Sequence, residues 1–276
     1  MSDGSESSNS SGRRGIRRLL ADISTGVNIL RNDGLGRFYK SVRDRIRYHP
    51  PLFRERLLLR TWLARRRDPA IADPFKVLFV DPAAITSVSR FKSRRDAGKI
   101  LDGSWDLTDD RFEERTVYRG LRQRFVDGLE WTETAYYRRA KATIESNGRL
   151  YGCRSLEEFL DEQCAYLDDL YDSIRSNGYL PQSVLTSEDH PGHRRLASSA
   201  QRSFHEVTVS IGRDGELLFD SGNHRLSIAK ILGIREIPVQ VVVRHERWQA
   251  KRQRCYEDTN ELPADLLEHP DLEDVQ

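Results

Sequence analysis

A strand–turn–helix–strand pattern constrains the fold of this chain more than any other feature. An apolar run at 216–219 predicts a strand, 220–233 predicts a turn and a helix, and 237–243 predicts a second strand. The helix would begin at Asn223, directly after Gly222. The first N–H groups of a helix lack partners and carry the positive end of its dipole, so this arrangement indicates an anion site.

Five residues at this turn form the candidate site. Gly222 lets the backbone approach a ligand or adopt a positive φ, and Gly222 and Asn223 would supply backbone N–H groups. His224 and Arg225 would hold a phosphate, so these four are the predicted nucleotide-binding residues. Asp220 is the predicted catalytic residue, because it could hold Mg²⁺ or orient an attacking hydroxyl; it could equally cap the helix. An ordinary strand–helix connection would also explain the apolar residues, but not Asn-His-Arg at the first turn.

Three segments in a fixed order carry a family resemblance. Residues 222–239 read Gly-Asn-His-Arg-x-x-x-Ala and then Leu-Gly-Ile-x-x-Ile-Pro-Val, while 77–85 and 171–184 supply an opening strand and a helix–Gly–Pro–strand segment. Together they resemble the ParB/sulfiredoxin superfamily. The resemblance implies an α+β fold with a small mixed β-sheet. It also implies a bound nucleotide triphosphate or diphosphate, with or without Mg²⁺, and a kinase-like phosphotransferase or nucleotide hydrolase.

The chain differs from members of that superfamily in two ways, and each difference argues against one of their activities. Sulfiredoxins need a cysteine immediately before His-Arg, and this chain has Asn223 there, so sulfinic acid reductase activity is not expected. Partition proteins carry a helix-turn-helix domain after the box. Only about 30 residues follow Val243, too few for that domain, so a chromosome-partition role is not expected either.

Differences in amino-acid composition along the sequence predict the domain organisation of the chain. Residues 1–12 are Ser-rich and predicted to be disordered, and 13–72 is predicted to be a basic helical N-terminal region. The ParB/sulfiredoxin-like domain would cover 73–255, with a helical insertion at about 103–165 that could cover the ligand site. Residues 256–276 form an acidic tail, predicted to be flexible or a peripheral helix.

The charge distribution suggests further partners. Residues 13–67 hold fifteen Arg and one Lys against four acids, a net charge of +12, whereas 257–276 hold eight acids and no Lys or Arg. Such a basic arm predicts contact with nucleic acid or an anionic membrane surface, and the alternative function is a non-catalytic nucleic-acid-binding module. The acidic tail could instead fold back on the arm. No apolar run predicts a transmembrane helix, and three scattered cysteines favour a cytoplasmic protein with reduced thiols.

Other polar and aromatic residues leave two interpretations open. His190, His193 and His205 could bind a metal, but no carboxylate or cysteine completes a recognised ligand set, so no metal site is predicted. The loop could instead offer Arg194 and Arg195 to an anion. Three segments, each containing a tryptophan, could line a pocket or simply pack on the core: Gly103–Asp106, Trp131–Thr134 together with Tyr136 and Tyr137, and Arg244–Trp248.

Overall fold

A six-stranded mixed sheet organises the computed structural model, which describes residues 53–90, 96–182, 184–185 and 205–276. The strands are β1 (Val77–Val80), β2 (Ser87–Val88), β3 (Lys99–Leu101), β4 (Val207–Ile211), β5 (Leu217–Ser221) and β6 (Ile237–His245). Their order is β1-β6-β4-β5-β2, and β3 also pairs with β6. β1 is antiparallel to β6 and β4 to β5, while the other pairs are parallel. The α+β prediction is confirmed at the level of a mixed α/β fold with a mixed sheet.

Helices surround this sheet. They are α1 (Phe53–Arg65), α2 (Thr116–Phe125), α3 (Ala135–Asn147), α4 (Ala165–Asn177), α5 (Asn223–Ile231), α6 (Glu246–Glu257) and α7 (Ala264–Leu267). One α-helical turn (Leu156–Glu158) and a π-helical segment (Phe159–Cys164) lead into α4, and short 3₁₀ turns lie at Pro82–Ala84, Phe112–Glu114, Trp131–Glu133 and Thr259–Glu261. Among the described residues, no helix combines the length and apolar character needed to span a bilayer.

Alternating side chains of the central strands give the sheet two buried faces. Val209, Phe219 and Val241 belong to a cluster that includes Trp248 of α6. Leu218 and Val242 point into a second cluster. A third cluster joins α2, α3 and α4 to Ile228 of α5. The predicted helical insertion is therefore helical, and it packs against the helix that carries the candidate site.

The predicted domain boundary between residues 72 and 73 needs correction. Residues Leu52–Gln276 form one compact unit. Within it, Leu57 of α1 is buried with Leu218 and Val242 on the second face of the sheet. The N-terminal region predicted to be helical over 13–72 is thus helical at Phe53–Arg65, but this helix belongs to the sheet domain. The predictions for residues 1–12 and for the basic helices up to residue 52 lie outside the described residues.

The acidic segment is not peripheral, contrary to the sequence prediction. Leu272 and Asp271 have no solvent exposure, and Val275 is buried in the same cluster as the central strands. Asp271 accepts hydrogen bonds from Arg244, at 2.6 and 2.9 Å, and from Trp248 Nε1 at 2.9 Å. A run of acids normally indicates a solvated surface. Here an acid is buried because basic residues far away in the sequence neutralise it.

Candidate functional site

Gly222 shapes the junction between β5 and α5. It caps the helix in the left-handed region, with φ 104° and ψ 34°, which L-residues rarely adopt. A Cβ at this position would lie 3.2 Å from the Cα of Val207 and 3.1 Å from its Cγ2. No side chain caps the helix at Gly222. The strand therefore reaches the first turn of α5 through a conformation and a close approach that both require glycine.

Replacing Gly222 with alanine should destabilise the fold. We expect Gly222→Ala to lower the free energy of unfolding by about 1–3 kcal/mol, because it combines backbone strain with contact against Val207. Gly148→Ala is the matched control, since Gly148 also has a positive φ but open space around it. Urea denaturation measures both. Equal losses for the two variants would show that the contact with Val207 costs nothing.

Asn223 is held by a residue from the insertion. Its side-chain Oδ1 accepts a hydrogen bond from Arg115 Nε at 3.1 Å, although the two residues are 108 positions apart. Arg115 immediately precedes α2 and its guanidinium lies over the ring of Phe219, 5.5 Å from the centroid. The insertion therefore brings a guanidinium to the first turn of α5.

His224 lies among two tyrosines of the insertion. Its Nε2 and the hydroxyl of Tyr136 are 3.0 Å apart, and the ring of Tyr151 packs edge-on at a centroid distance of 5.4 Å. Among the described residues, Tyr151 is the only non-glycine residue with a positive φ, at 54°. Such backbone strain is concentrated at functional sites in proteins. It occurs here at a residue that contacts the predicted phosphate-binding histidine.

Tyr136 is fixed more firmly than a surface tyrosine would be. It is buried, and burial raises the pKa of its hydroxyl far above the ordinary value. Phe159, in the π-helical segment, packs against its ring, and a Cβ on Gly120 of α2 would overlap its backbone. The tyrosine hydroxyl therefore stays protonated and in place beside His224.

The charge of a second guanidinium, that of Arg139, acts on Arg115. Burial, and then the nearby charge of Arg139, lowers the pKa of Arg115 below its ordinary value. Arg139 lies on α3 and is exposed, and among the described residues no carboxylate forms an ion pair with it. Arg115, at the first turn of α5, is therefore subject to the positive charge of Arg139 and to the negative charge of Asp110.

Arg225 is engaged inside the fold. Only 7% of its surface is exposed; its guanidinium donates to Glu206 Oε2 at 3.2 Å and to the backbone carbonyl of His205 at 2.6 Å. Glu206 is itself buried. The guanidinium is therefore already neutralised, and these contacts do not favour the predicted phosphate-binding role of Arg225.

Asp220 lies near the end of β5, two residues before Gly222. Its Oδ2 accepts a hydrogen bond from the hydroxyl of Thr208 on β4 at 3.3 Å. The N-cap residue of α5 is Gly222, which has no side chain to cap the helix, and the alternative that Asp220 caps α5 stays a prediction. A catalytic or Mg²⁺-binding role for Asp220 stays a prediction.

The predicted histidine cluster is mostly outside the described residues, as are Arg194 and Arg195. His205 is described; its Nε2 lies 3.9 Å from Glu206 Oε1. Across residues 53–90, 96–182, 184–185 and 205–276, no group of three or more His, Cys, Asp or Glu residues could hold a metal ion.

The aromatic segments pack on the core. Trp131 donates from Nε1 to Asp168 at 2.9 Å, and Thr134 caps α3 by accepting from the Tyr137 N–H. Trp248 is fully buried on α6, so it is a core residue. Trp105 stacks on His245 at 5.8 Å. For these residues the packing interpretation is the one that the contacts support.

Sequence reasoning placed the candidate site on α5 and named Tyr136 as part of a possible pocket wall, but it missed the other residues that surround the site. Arg115, Tyr136, Arg139 and Tyr151 all come from the insertion. The only available signal was the prediction that the insertion covers the ligand site. Comparisons with protein-family models, with curated proteins and with solved structures found no match to this chain.

Proposed function

We propose that this chain is a nucleotide- or phosphate-binding protein of ParB/sulfiredoxin type and that the ligand binds at the first turn of α5. One observation carries the proposal: Arg115 lies at the first turn of α5, hydrogen-bonded to Asn223, and the positive charge of Arg139 acts on it. Repulsion between these two guanidiniums favours the approach of negative charge beyond that of Asp110. An anion bound by the helix N–H groups and both guanidiniums would supply it.

The roles of the surrounding residues follow from their contacts. The backbone of Gly222 and Asn223 would approach the phosphate, as the sequence predicts. His224 would donate to it, held by the Tyr136 hydroxyl, and Arg115 would reach it beside the Asn223 side chain. Arg225, bound to Glu206, would orient the first turn rather than touch the ligand.

Asp220 is the residue that would support catalysis in this site. Mg²⁺ on a nucleotide needs only one or two protein carboxylates, because phosphate oxygens and waters complete its coordination. A single aspartate next to the phosphate turn fits that requirement. The reaction that such a site would support is phosphoryl transfer or nucleotide hydrolysis.

The thiols of Cys153, Cys164 and Cys255 are free, which supports the cytoplasmic location that belongs to this proposal.

Neutralising Arg139 should weaken the binding of nucleotides. We expect Arg139→Gln to reduce affinity about tenfold or more, because a charge-assisted hydrogen bond contributes about 1.5–3 kcal/mol. The exposed position of Arg139 should leave the unfolding temperature unchanged. The measurement is titration calorimetry with the nucleotide that gives the largest thermal shift in a screen with and without Mg²⁺.

The control for this prediction is an arginine remote from the site. Arg254→Gln removes an exposed arginine of α6 and should leave nucleotide affinity as in the wild type. If no nucleotide, pyrophosphate or phosphate stabilises the wild-type protein at millimolar concentration, the proposed function is wrong. If the two variants bind equally well, the ligand lies elsewhere.

A further inference from the structure

Helix α1 has a buried face and an exposed apolar face. Leu57 and Thr61 are buried, and Leu57 packs against the sheet. On the other side, Leu59, Trp62 and Leu63 are 57%, 52% and 50% exposed. Positions i, i+3 and i+4 are neighbours on a helix, so these three side chains form one continuous apolar surface. We call Leu59, Trp62 and Leu63 the outer face of α1.

Arginines are the predominant charged residues of α1 and of the two positions that follow it. Residues 53–67 contain one acid, Glu55, and these basic residues: Arg54, Arg56, Arg60, Arg65, Arg66 and Arg67. Their contacts in the described part of the chain are with neutral groups. Arg60 donates to the Ala97 carbonyl, Arg65 donates to the Ile71 carbonyl, and Arg66 lies 3.9 Å from the ring centroid of Trp62.

Key acids of the C-terminal segment are engaged elsewhere. Asp271 pairs with Arg244, and Asp274 pairs with Arg252 and Lys76. These carboxylates are therefore not available to α1, although the sequence suggested that the acidic tail could fold back on the basic arm. Within residues 53–90, 96–182, 184–185 and 205–276, no ion pair neutralises the arginines of α1, so their charge favours an anionic surface.

We propose that the outer face of α1 docks on an anionic membrane surface. The leucines and the tryptophan would enter the boundary between headgroups and acyl chains, where tryptophan is favoured and aliphatic side chains leave water. The arginines would contact lipid phosphates and acidic headgroups. A nucleic-acid backbone would pair with the arginines equally well, but it would leave Leu59 and Leu63 without an apolar partner, so the lipid surface is the better fit.

Trp62 gives this proposal a specific spectroscopic test. The chain has four tryptophans, and the other three are at most 9% exposed. The full-length protein is mixed with phosphatidylcholine vesicles, with and without about 30% phosphatidylserine. We expect co-flotation and a blue shift of tryptophan emission only with the anionic vesicles. Trp62→Phe should abolish the shift, and Leu59→Ser/Leu63→Ser should weaken flotation about tenfold.

Matched variants separate the outer face from general electrostatic attraction. Leu107→Ser replaces a leucine that is similarly exposed but lies outside α1, and it should float like the wild type. If the Leu59→Ser/Leu63→Ser variant floats as well as the wild type and Trp62 emission does not shift, lipid binding belongs to residues outside α1. That result would overturn the proposal. The proposal would also be overturned if the wild-type protein does not float with anionic vesicles, or if duplex DNA alone produces the blue shift of tryptophan emission. A blue shift that appears without vesicles and grows with protein concentration would overturn it too, because it would indicate that a second copy of the chain covers the outer face.

Discussion

Asp271→Ala should be among the most destabilising single substitutions in this protein, lowering the free energy of unfolding by about 3–5 kcal/mol. The carboxylate is fully buried and binds Arg244 and Trp248, and it lies 3.3 Å from Arg252. Removing it leaves buried guanidiniums without a counter-charge and an indole N–H without an acceptor. Chemical denaturation followed by circular dichroism measures the loss. Asp265→Ala, which removes an exposed acid of the same segment, is the control and should change stability by less than about 0.5 kcal/mol.

The same carboxylate predicts a dependence of stability on pH. Burial alone would raise the pKa of Asp271, but the charge of Arg244 and its hydrogen bonds lower it well below the ordinary value of 3.8. The folded state therefore binds this proton more weakly than the unfolded state does. Its contribution is fully present above the ordinary pKa and is lost as the pH falls below about 4. Asp271→Asn should show a shallower acid dependence there; an unchanged slope would contradict the assignment.

Glu206→Gln should produce the second large effect, also a loss of about 3 kcal/mol or more. Its carboxylate accepts from Arg225, which is almost as buried, and from the backbone N–H of Gln182. A neutral amide leaves the Arg225 charge without compensation inside the protein. Denaturation with urea is again the measurement.

A double variant separates structure from binding at this pair. In Glu206→Leu/Arg225→Met both charges are absent, so stability should recover relative to Glu206→Gln, because apolar residues of similar volume often replace a buried ion pair without loss. We expect this double variant to retain nucleotide affinity, since Arg115 and Arg139 hold the phosphate in our proposal. Loss of affinity in a folded double variant would restore Arg225 as a ligand-binding residue.

The backbone of the site could be predicted from sequence because its signals are local. Strand β5 ends in Asp-Ser, and Gly222 follows with the positive φ that the turn requires. Gly233, predicted to end the helix, follows α5 with φ 63°. Each of these features depends on a few consecutive residues, so a pattern of residue types was enough to find them.

The surroundings of the site could not be predicted, since they depend on contacts between distant residues. Tyr136 and His224 are 88 positions apart, and neither belongs to a motif that names the other. Arg225 shows how a local pattern can also suggest a contact that the structure does not favour. A guanidinium next to a helix start suggests a phosphate ligand, but its partner, Glu206, is on the far side of a hairpin and 19 positions away. Sequence patterns report residue types and spacing, not the direction of a long side chain.

The way the C-terminal segment closes the core affects how the chain folds during synthesis. Lys76, next to the first strand, pairs with Asp274 across 198 positions of sequence. At roughly 5–20 residues per second, the ribosome needs on the order of 10–40 s to make the intervening chain. For most of that interval β1 lacks β6, the strand with which it pairs, and until its end Leu78 and Val80 lack Leu272 and Val275, which share their buried cluster. Chaperones that bind exposed apolar surfaces would therefore have a long opportunity to engage the nascent chain before its last helices arrive.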